Sequence, residues 1–378
     1  MELLNIQKRL WAEIDMNAVE HNYNQIKGPV CCVVKANAYG HGAIQLAKLY
    51  EKLGVFYFAV SNIEEAIQLR NAGITKPILI LGYSPVECVK ELSNYNISQC
   101  VYSLDYANAL SKECIKNNVD INIHIKIDTG MGRIGFQYKN NHNDLEDALK
   151  ACKLKGFRLE GIFTHFAVSD EGINDYTNKQ YNYFINAIEY FKNNGIVFKI
   201  CHCANSAAII DYPKYHLDMV RAGIMLYGVN PTNNNNIDLK PVLTLKSIVS
   251  NVKEVKKGDS ISYGRTYIAD KDMRVATIPI GYADGFYRSN TGNYVYINDK
   301  KCRILGRICM DQIMVESEGA KIGDIVEIYG SHIKVEDVAK YNHTIPYEIL
   351  CSISQRVPRV YIYNNEIMEI QDNLVKKE

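Results

Sequence analysis

Between about residue 30 and residue 228 the chain repeats one pattern eight times, a short β-rich apolar run followed by an amphipathic stretch. The runs read VCCVVK, FYFAVS, PILILG, SQCVYS, INIHIKI, LEGIFTHF, FKICHC and MVRAGIMLYG. Each is nearly continuous in apolar character, as a parallel strand covered on both faces requires. Between them, stretches such as Ile63–Asn71 and residues 176–194 repeat apolar residues at steps of three and four, the spacing of a helix with one buried face. Eight βα units in about 200 residues suit a closed (β/α)8 barrel of the TIM type better than an open doubly wound sheet, so the predicted class is α/β. The polar run PTNNNNID then reads as a linker. Beyond it, VKKGDSISYG, VYINDKKCRI and GAKIGDIVEIYG are short alternating strands broken by turn pairs, and only residues 335–340 and 346–352 look helical. We expect a barrel over residues 11–232 and a mainly β domain made of residues 1–10 and 233–378.

A chain of 378 residues exceeds the usual size of one core, consistent with two domains. A net charge of +1 leaves no electrostatic footprint for nucleic acid or an anionic membrane, which points to a small-molecule partner. No apolar run approaches the roughly 18 residues that span a bilayer, and the start MELLNIQKRLWAEID lacks the apolar stretch of a signal peptide, so a cytoplasmic protein is expected. Most of the eleven cysteines, among them Cys31, Cys32, Cys100, Cys201 and Cys203, sit in strand-like runs and read as buried reduced thiols. Strand alternation turns His202 away from Cys201 and Cys203, and no second ligand pair stands at zinc spacing, so no metal site is predicted.

In such a barrel the chemistry lies at the C-terminal strand ends. Lys35 follows four apolar residues and precedes ANAYGHG; alone, it reads equally as a snorkelling lysine or as an amine made available by burial. The fifth strand runs into KIDTGMGRIGF, where Gly130, Gly132 and Gly135 spell G-x-G-x-x-G. That fingerprint must open a helix, and the following FQYKNNHND has no helical period. The better reading is a glycine-permitted loop presenting Arg133 to an anionic oxygen. Lys126 can be a buried partner of Arg133 only if its own charge is removed or reversed. His165 in FTHFA reads more often as a hydrogen-bonded core residue than as a catalyst. Asn205 and Ser206 precede a helical turn and suit either phosphate binding or a plain N-cap. Arg221 lies inside an apolar strand and must be paired or serve a ligand; against a pyridine nitrogen it can only donate. Tyr263, Tyr282 and the segment GRICMDQ form turn-rich clusters in the second domain. Together with the barrel residues they suggest a composite site between domains or between chains.

These residues resemble one family. VVKANAYGHG, KIDTGMGRIG, GIFTHFA, HCANSAA, RAGIMLYG, SYGRTY, PIGYADG, GRICMDQ and RVPRV match, in order from residue 33 to residue 360, the motifs of the alanine racemases, which are fold-type III pyridoxal-phosphate enzymes. The resemblance implies an isomerase that interconverts L- and D-alanine, supplies D-alanine for peptidoglycan precursors, and works as a homodimer with sites shared between subunits. It implies that Lys35 carries pyridoxal 5'-phosphate and is the base on one face of the substrate, with Tyr263 of the other chain on the opposite face. Tyr39, Ser206 and the backbone of Gly223 and Ile224 would hold the phosphate. Arg221 would face the pyridine nitrogen, and His165 would link Arg221 to the tyrosine base. Arg133 would touch the phenolic oxygen and the substrate carboxylate, assisted by Met310 and steadied by a carbamylated Lys126. Tyr282, Asp170, Arg288, Arg307 and Asp311 would line the entryway.

One departure stands out. Where the family usually has a tyrosine before RxPR, this chain has Gln355. A flexible amide removes an aromatic wall and adds hydrogen-bonding groups, so serine is expected as a second or even main substrate. Two other readings compete. An amino-acid decarboxylase of the same fold would set a carboxylate at the pyridine nitrogen, against Arg221. A non-enzymatic pyridoxal-phosphate carrier would not need the second-domain motifs.

Overall fold

The computed structural model describes residues 8–234 and 236–375. Residues 1–7, expected in the β domain, and residues 376–378 lie outside the described residues.

Each of the eight predicted runs overlaps a barrel strand: Val30–Val33, Tyr57–Val60, Ile78–Ile80, Ile97–Val101, Ile121–Asp128, Phe157–Phe163, Ile200–His202 and Val220–Ala222. Successive strands through the seventh pair in parallel in chain order, and the eighth pairs with the first, Arg221 opposite Cys31. Two backbone hydrogen bonds join the seventh and eighth strand regions, Asp218 N–H to Cys201 O (3.1 Å) and Arg221 N–H to Ala204 O (2.9 Å). The result is a nearly closed barrel. Its expected helices are present as Ile63–Asn71, capped by Asn62 on the Glu65 amide, and Asp175–Asn193, capped by Asn174 on the Thr177 amide.

The second domain is mainly β. Its largest sheet orders seven strands as Lys300–Arg303, Tyr294–Ile297, Ile325–Tyr329, Leu243–Ile248, Leu10–Asp15, Arg359–Tyr363 and Glu366–Gln371. The VYINDKKCRI hairpin turns at Asn298 and Asp299, both with positive φ (47° and 61°), as a two-residue turn matched to strand twist demands. The helices are Val335–Tyr341 and Pro346–Cys351. Within PTNNNNID the described residues form no helix or strand; Asn230 and Asn234 side chains organise them.

The expected domain switch at residues 10 and 11 falls inside a strand. Leu10–Asp15 sits in the β sheet between Leu243–Ile248 and Arg359–Tyr363, burying Leu10, Ala12 and Ile14. The chain turns toward the barrel at Asp15, whose carboxylate caps Met16–Asn24 through the Asn17 and Ala18 amides. One continuous core runs through both domains. Cys201 departs from the expected burial and is part-exposed, because strand alternation turns it away from the interior that His202 faces; Cys203, beyond the end of that strand, is buried.

Candidate active site

The first strand delivers Lys35 into a left-handed turn. Ala36, Asn37, Ala38 and Tyr39 all have φ of 52–53°, a conformation that costs about 1–2 kcal/mol per L-residue. Contacts from elsewhere hold it. Glu65 Oε1 accepts the Ala36 N–H (2.6 Å), Asn37 Oδ1 accepts the Ala43 N–H (2.9 Å), and the buried Arg359 of the β domain donates Nε to Gly40 O (3.0 Å). A Cβ on Gly40 would stand 2.2 Å from the Leu350 carbonyl oxygen, so glycine alone lets helix Pro346–Cys351 approach this closely. Lys35 is half-buried. Burial and then the Arg133 charge pull its ammonium below the usual lysine range, against smaller opposing effects of Cys351 and Glu65.

The turn aims the Tyr39 hydroxyl at Gly223. A Cβ there would meet Tyr39 Oη at 2.8 Å and Ser206 Oγ at 3.7 Å, and Ser206 Oγ accepts the Gly223 N–H (2.8 Å). Ile224 opens the next turn, Ile224–Tyr227. Two hydroxyls and the Gly223 amide thus surround a position without a side chain, a cradle that suits an anion. The capping role falls to Asn205, which accepts the Ala208 N–H (3.0 Å), leaving Ser206 to the cradle.

Arg221 is 3% exposed. Its Nη2 donates to Thr164 O (2.8 Å), Cys203 O (3.0 Å) and His165 Nδ1 (3.2 Å), and its Nη1 to His202 Nδ1 (2.9 Å) and His202 O (3.2 Å). Burial lowers the guanidinium only to about 10, so it stays charged near neutrality. Burial, then Arg221 and Lys126, hold His165 well below the usual histidine range. Since Arg221 only donates, the proton of neutral His165 sits on Nε2.

Lys126 is buried, with Nζ 5.0 Å from the Phe163 ring centroid, and burial plus Arg221 pull it to about 7. Downstream, Asp128 Oδ1 gathers the N–H groups of Gly130 (2.9 Å), Met131 (2.8 Å) and Gly132 (3.1 Å) and shapes the loop that carries the exposed Arg133. The chain continues into the short strand Phe136–Gln137, so the glycine run opens no helix.

A second cluster forms on the β domain. Tyr263 begins the turn Tyr263–Arg265 and is 69% exposed. Beside it, Ser262 donates to Arg307 O, and a Cβ on Gly264 would meet Arg307 Nη1 at 2.9 Å. Tyr282 N–H bonds Cys309 O (3.1 Å) and Ala283 N–H bonds Met310 O (3.0 Å), which joins SYGRTY, IGYADG and GRICMDQ. Ser262, Tyr263, Cys309, Met310, Asp311 and Gln312 line an open cleft of about 440 Å³. Gln355 is exposed; its neighbour Arg356 is fixed by Asp284 (3.0 Å) and Asp311 (2.7 Å). Asp170, Arg288 and Arg307 are exposed, and among the described residues no ion pair joins them to one another. Sequence reasoning missed Asp128, Asp284, Arg359 and Tyr347, whose ring lies 5.9 Å from that of Tyr39. Asp128 alone left a signal, as the acidic residue opening a glycine loop.

A strand-end lysine, an anion cradle and a buried arginine at one barrel mouth, under a β domain with its own tyrosine cluster, define a two-domain barrel enzyme built around a lysine amine. The models for the alanine racemase N-terminal and C-terminal domains match residues 14–231 and 242–361. The chain is 44% identical over 379 residues to an alanine racemase of Clostridium perfringens (96% of this chain, 98% of the relative), and 42% identical over 379 residues to alanine racemase 2 of Caldanaerobacter subterraneus (96% and 97%). Among solved structures, an alanine racemase of Clostridium difficile superposes with a TM-score of 0.94 at 41% identity (98% and 100% coverage). One from Bacillus anthracis with bound L-Ala-P superposes at 0.93 and 35% identity (98% and 99%). This chain belongs to the alanine racemase family.

Proposed function

We propose that the protein is a pyridoxal-phosphate-dependent isomerase that interconverts L- and D-alanine, acting as a cytoplasmic homodimer. The observation that carries this reading is the convergence of Lys35, the Tyr39–Ser206–Gly223 cradle and Arg221 at one mouth. The cradle fits a phosphate: Tyr39, Ser206 and the amides of Gly223 and Ile224 would hold it, Lys35 would hold the aldehyde carbon, and Arg133 the phenolic oxygen. When bound, the cofactor supplies an electron sink that acidifies the substrate α-hydrogen. Arg221 can only donate, so it holds the ring nitrogen unprotonated and keeps that sink moderate.

Racemisation needs one group to take a proton on one face and another to return one on the opposite face. Lys35, biased toward its neutral amine, suits the first role. Tyr263 suits the second from a partner subunit, with His165 between it and Arg221. The exposed Tyr263, Tyr282 and Met310 favour a face completed by another copy of the chain. Arg133 and Met310 would hold the substrate carboxylate, and Asp170, Arg288, Arg307 and Asp311 would line its approach. Among the described residues no helix is long and apolar enough to cross a membrane. The test is direct: protein supplied with pyridoxal phosphate turns either alanine enantiomer into the other, and failure to do so sinks the reading.

Two residues refine it. Only a neutral amine adds to carbon dioxide, and Lys126, brought to about 7 between two arginines, suits a carbamate. Uptake of labelled bicarbonate at Lys126 should rise as pH rises through about 7, seen as a carbamate carbon signal that Lys126→Ala lacks. Gln355 bears on the substrate. The relatives support alanine as the main one, so the expectation of serine as main substrate is not carried forward. Serine stays a proposed minor substrate. Gln355→Tyr should lower the serine-to-alanine ratio of kcat/KM about tenfold, and an unchanged ratio would remove Gln355 from specificity.

A further inference from the structure

Behind Arg221 a line of polar side chains, buried as far as His124 and part-exposed at Glu160, crosses the barrel interior from the Lys35 mouth to the opposite end. His202 Nε2 lies 3.0 Å from His124 Nδ1, and His124 Nε2 lies 3.3 Å from Glu160 Oε2. Glu160 Oε2 also accepts Tyr57 Oη–H (2.7 Å) and Ser98 Oγ–H (2.6 Å). Both histidines are 0% exposed. The line is built in: a Cβ on Gly161 would stand 2.3 Å from His124 Nδ1, so the sixth strand carries glycine where His124 needs the space. Phe163 stacks on His202 at 4.9 Å and 6°, fixing its plane.

The two ends determine every proton between them. Arg221 Nη1 only donates, and it reaches both His202 Nδ1 (2.9 Å) and His202 O (3.2 Å), so it favours a His202 ring with its proton on Nε2 but does not enforce it alone. His202 Nε2–H then donates to His124 Nδ1, and the His124 proton sits on Nε2, pointing at Glu160. An ionised carboxylate only accepts, so Glu160 excludes the reversed arrangement, in which both protons sit on Nδ1 and Arg221 Nη1 rests on His202 O alone. We propose that Glu160 is a positioning residue for the proposed racemase site, fixing the tautomers of His124 and His202 and balancing the Arg221 charge from the far end of the barrel. Burial pushes the Glu160 carboxyl up, but hydrogen bonds from His124, Ser98 and Tyr57 outweigh it and hold the group below the usual carboxylate range. Burial keeps both histidines below the usual range, hence neutral. Arg221 therefore meets a bare nitrogen at His202, which holds its guanidinium in one orientation.

The inference rests on the racemase reading only for its catalytic consequence; the protons can be read without any turnover. In holoprotein labelled with nitrogen-15 histidine, His124 and His202 should each show a bare Nδ1 and a protonated Nε2. A protonated Nδ1 on either ring of the wild type overturns the proposal. Glu160→Met, which removes the acceptor, should mix the two tautomers and lower alanine kcat about tenfold with little change in KM. Glu160→Gln, whose amide oxygen can still accept, should restore the tautomers. Gly161→Ala, which displaces His124 without removing charge, keeps the idea testable if the methionine variant misfolds, and it should mix the tautomers too. Unchanged tautomers in Glu160→Met, or in Gly161→Ala where the methionine variant misfolds, contradict the assignment. Ordered tautomers in a wild type that does not racemise alanine would defeat the functional reading and leave the chain of protons intact.

Discussion

Lys35→Ala should lose alanine turnover by at least about 10⁴-fold, because one substitution removes both a proton carrier and the point of covalent attachment. The left-handed turn at residues 36–39 is held by Glu65, Asn37 and Arg359 rather than by the lysine side chain, so folding should be preserved. Near-ultraviolet circular dichroism of the variant checks this. Lys35→Arg should be equally inactive, since a guanidinium keeps its proton at any working pH. Small primary amines added to Lys35→Ala should restore part of the turnover. Activity within tenfold of wild type in either variant would remove Lys35 from the chemistry.

Tyr263→Phe should cost about 10²–10⁴-fold in racemisation while leaving cofactor binding intact. Tyr263 is 69% exposed and holds no core position, so little stability rides on its hydroxyl. The loss should be one-sided. With the Lys35 face still competent, one alanine enantiomer should go on exchanging its α-hydrogen with heavy water although it is no longer converted. The other enantiomer should not exchange. Equal loss of exchange for both enantiomers would mean that a single base serves both faces.

The barrel was legible because parallel strands covered on both faces leave near-continuous apolar runs, and all eight coincide with strands. The edge of the β domain was not, because Leu10–Asp15 finds its partners only beyond residue 242 and carries no local mark of its sheet. Lys35 was legible as a charge at a strand end, Arg133 as a charge on a glycine loop, and Arg221 as a charge inside an apolar strand. What aims them was not. ANAY contains no glycine, and its left-handed turn is imposed by Glu65 and Arg359 from elsewhere in the chain. His124 and His202 lie in apolar strand runs, and nothing in their spacing announces that Arg221 and Glu160 stand at either end of them. Nothing local to Gly161 marks it as the residue that makes room for His124.

In the proposed dimer, Lys35 and Tyr263 complete one site from two chains. Mixing inactive Lys35→Ala subunits with inactive Tyr263→Phe subunits, unfolding and refolding them together, tests it. In a two-fold dimer the hybrid carries one site in which both residues are intact, so random reassembly should recover about a quarter of the wild-type alanine racemisation rate. If both residues acted within one chain, every site in the hybrid would lack one of them, and the mixture would stay as inactive as its parents.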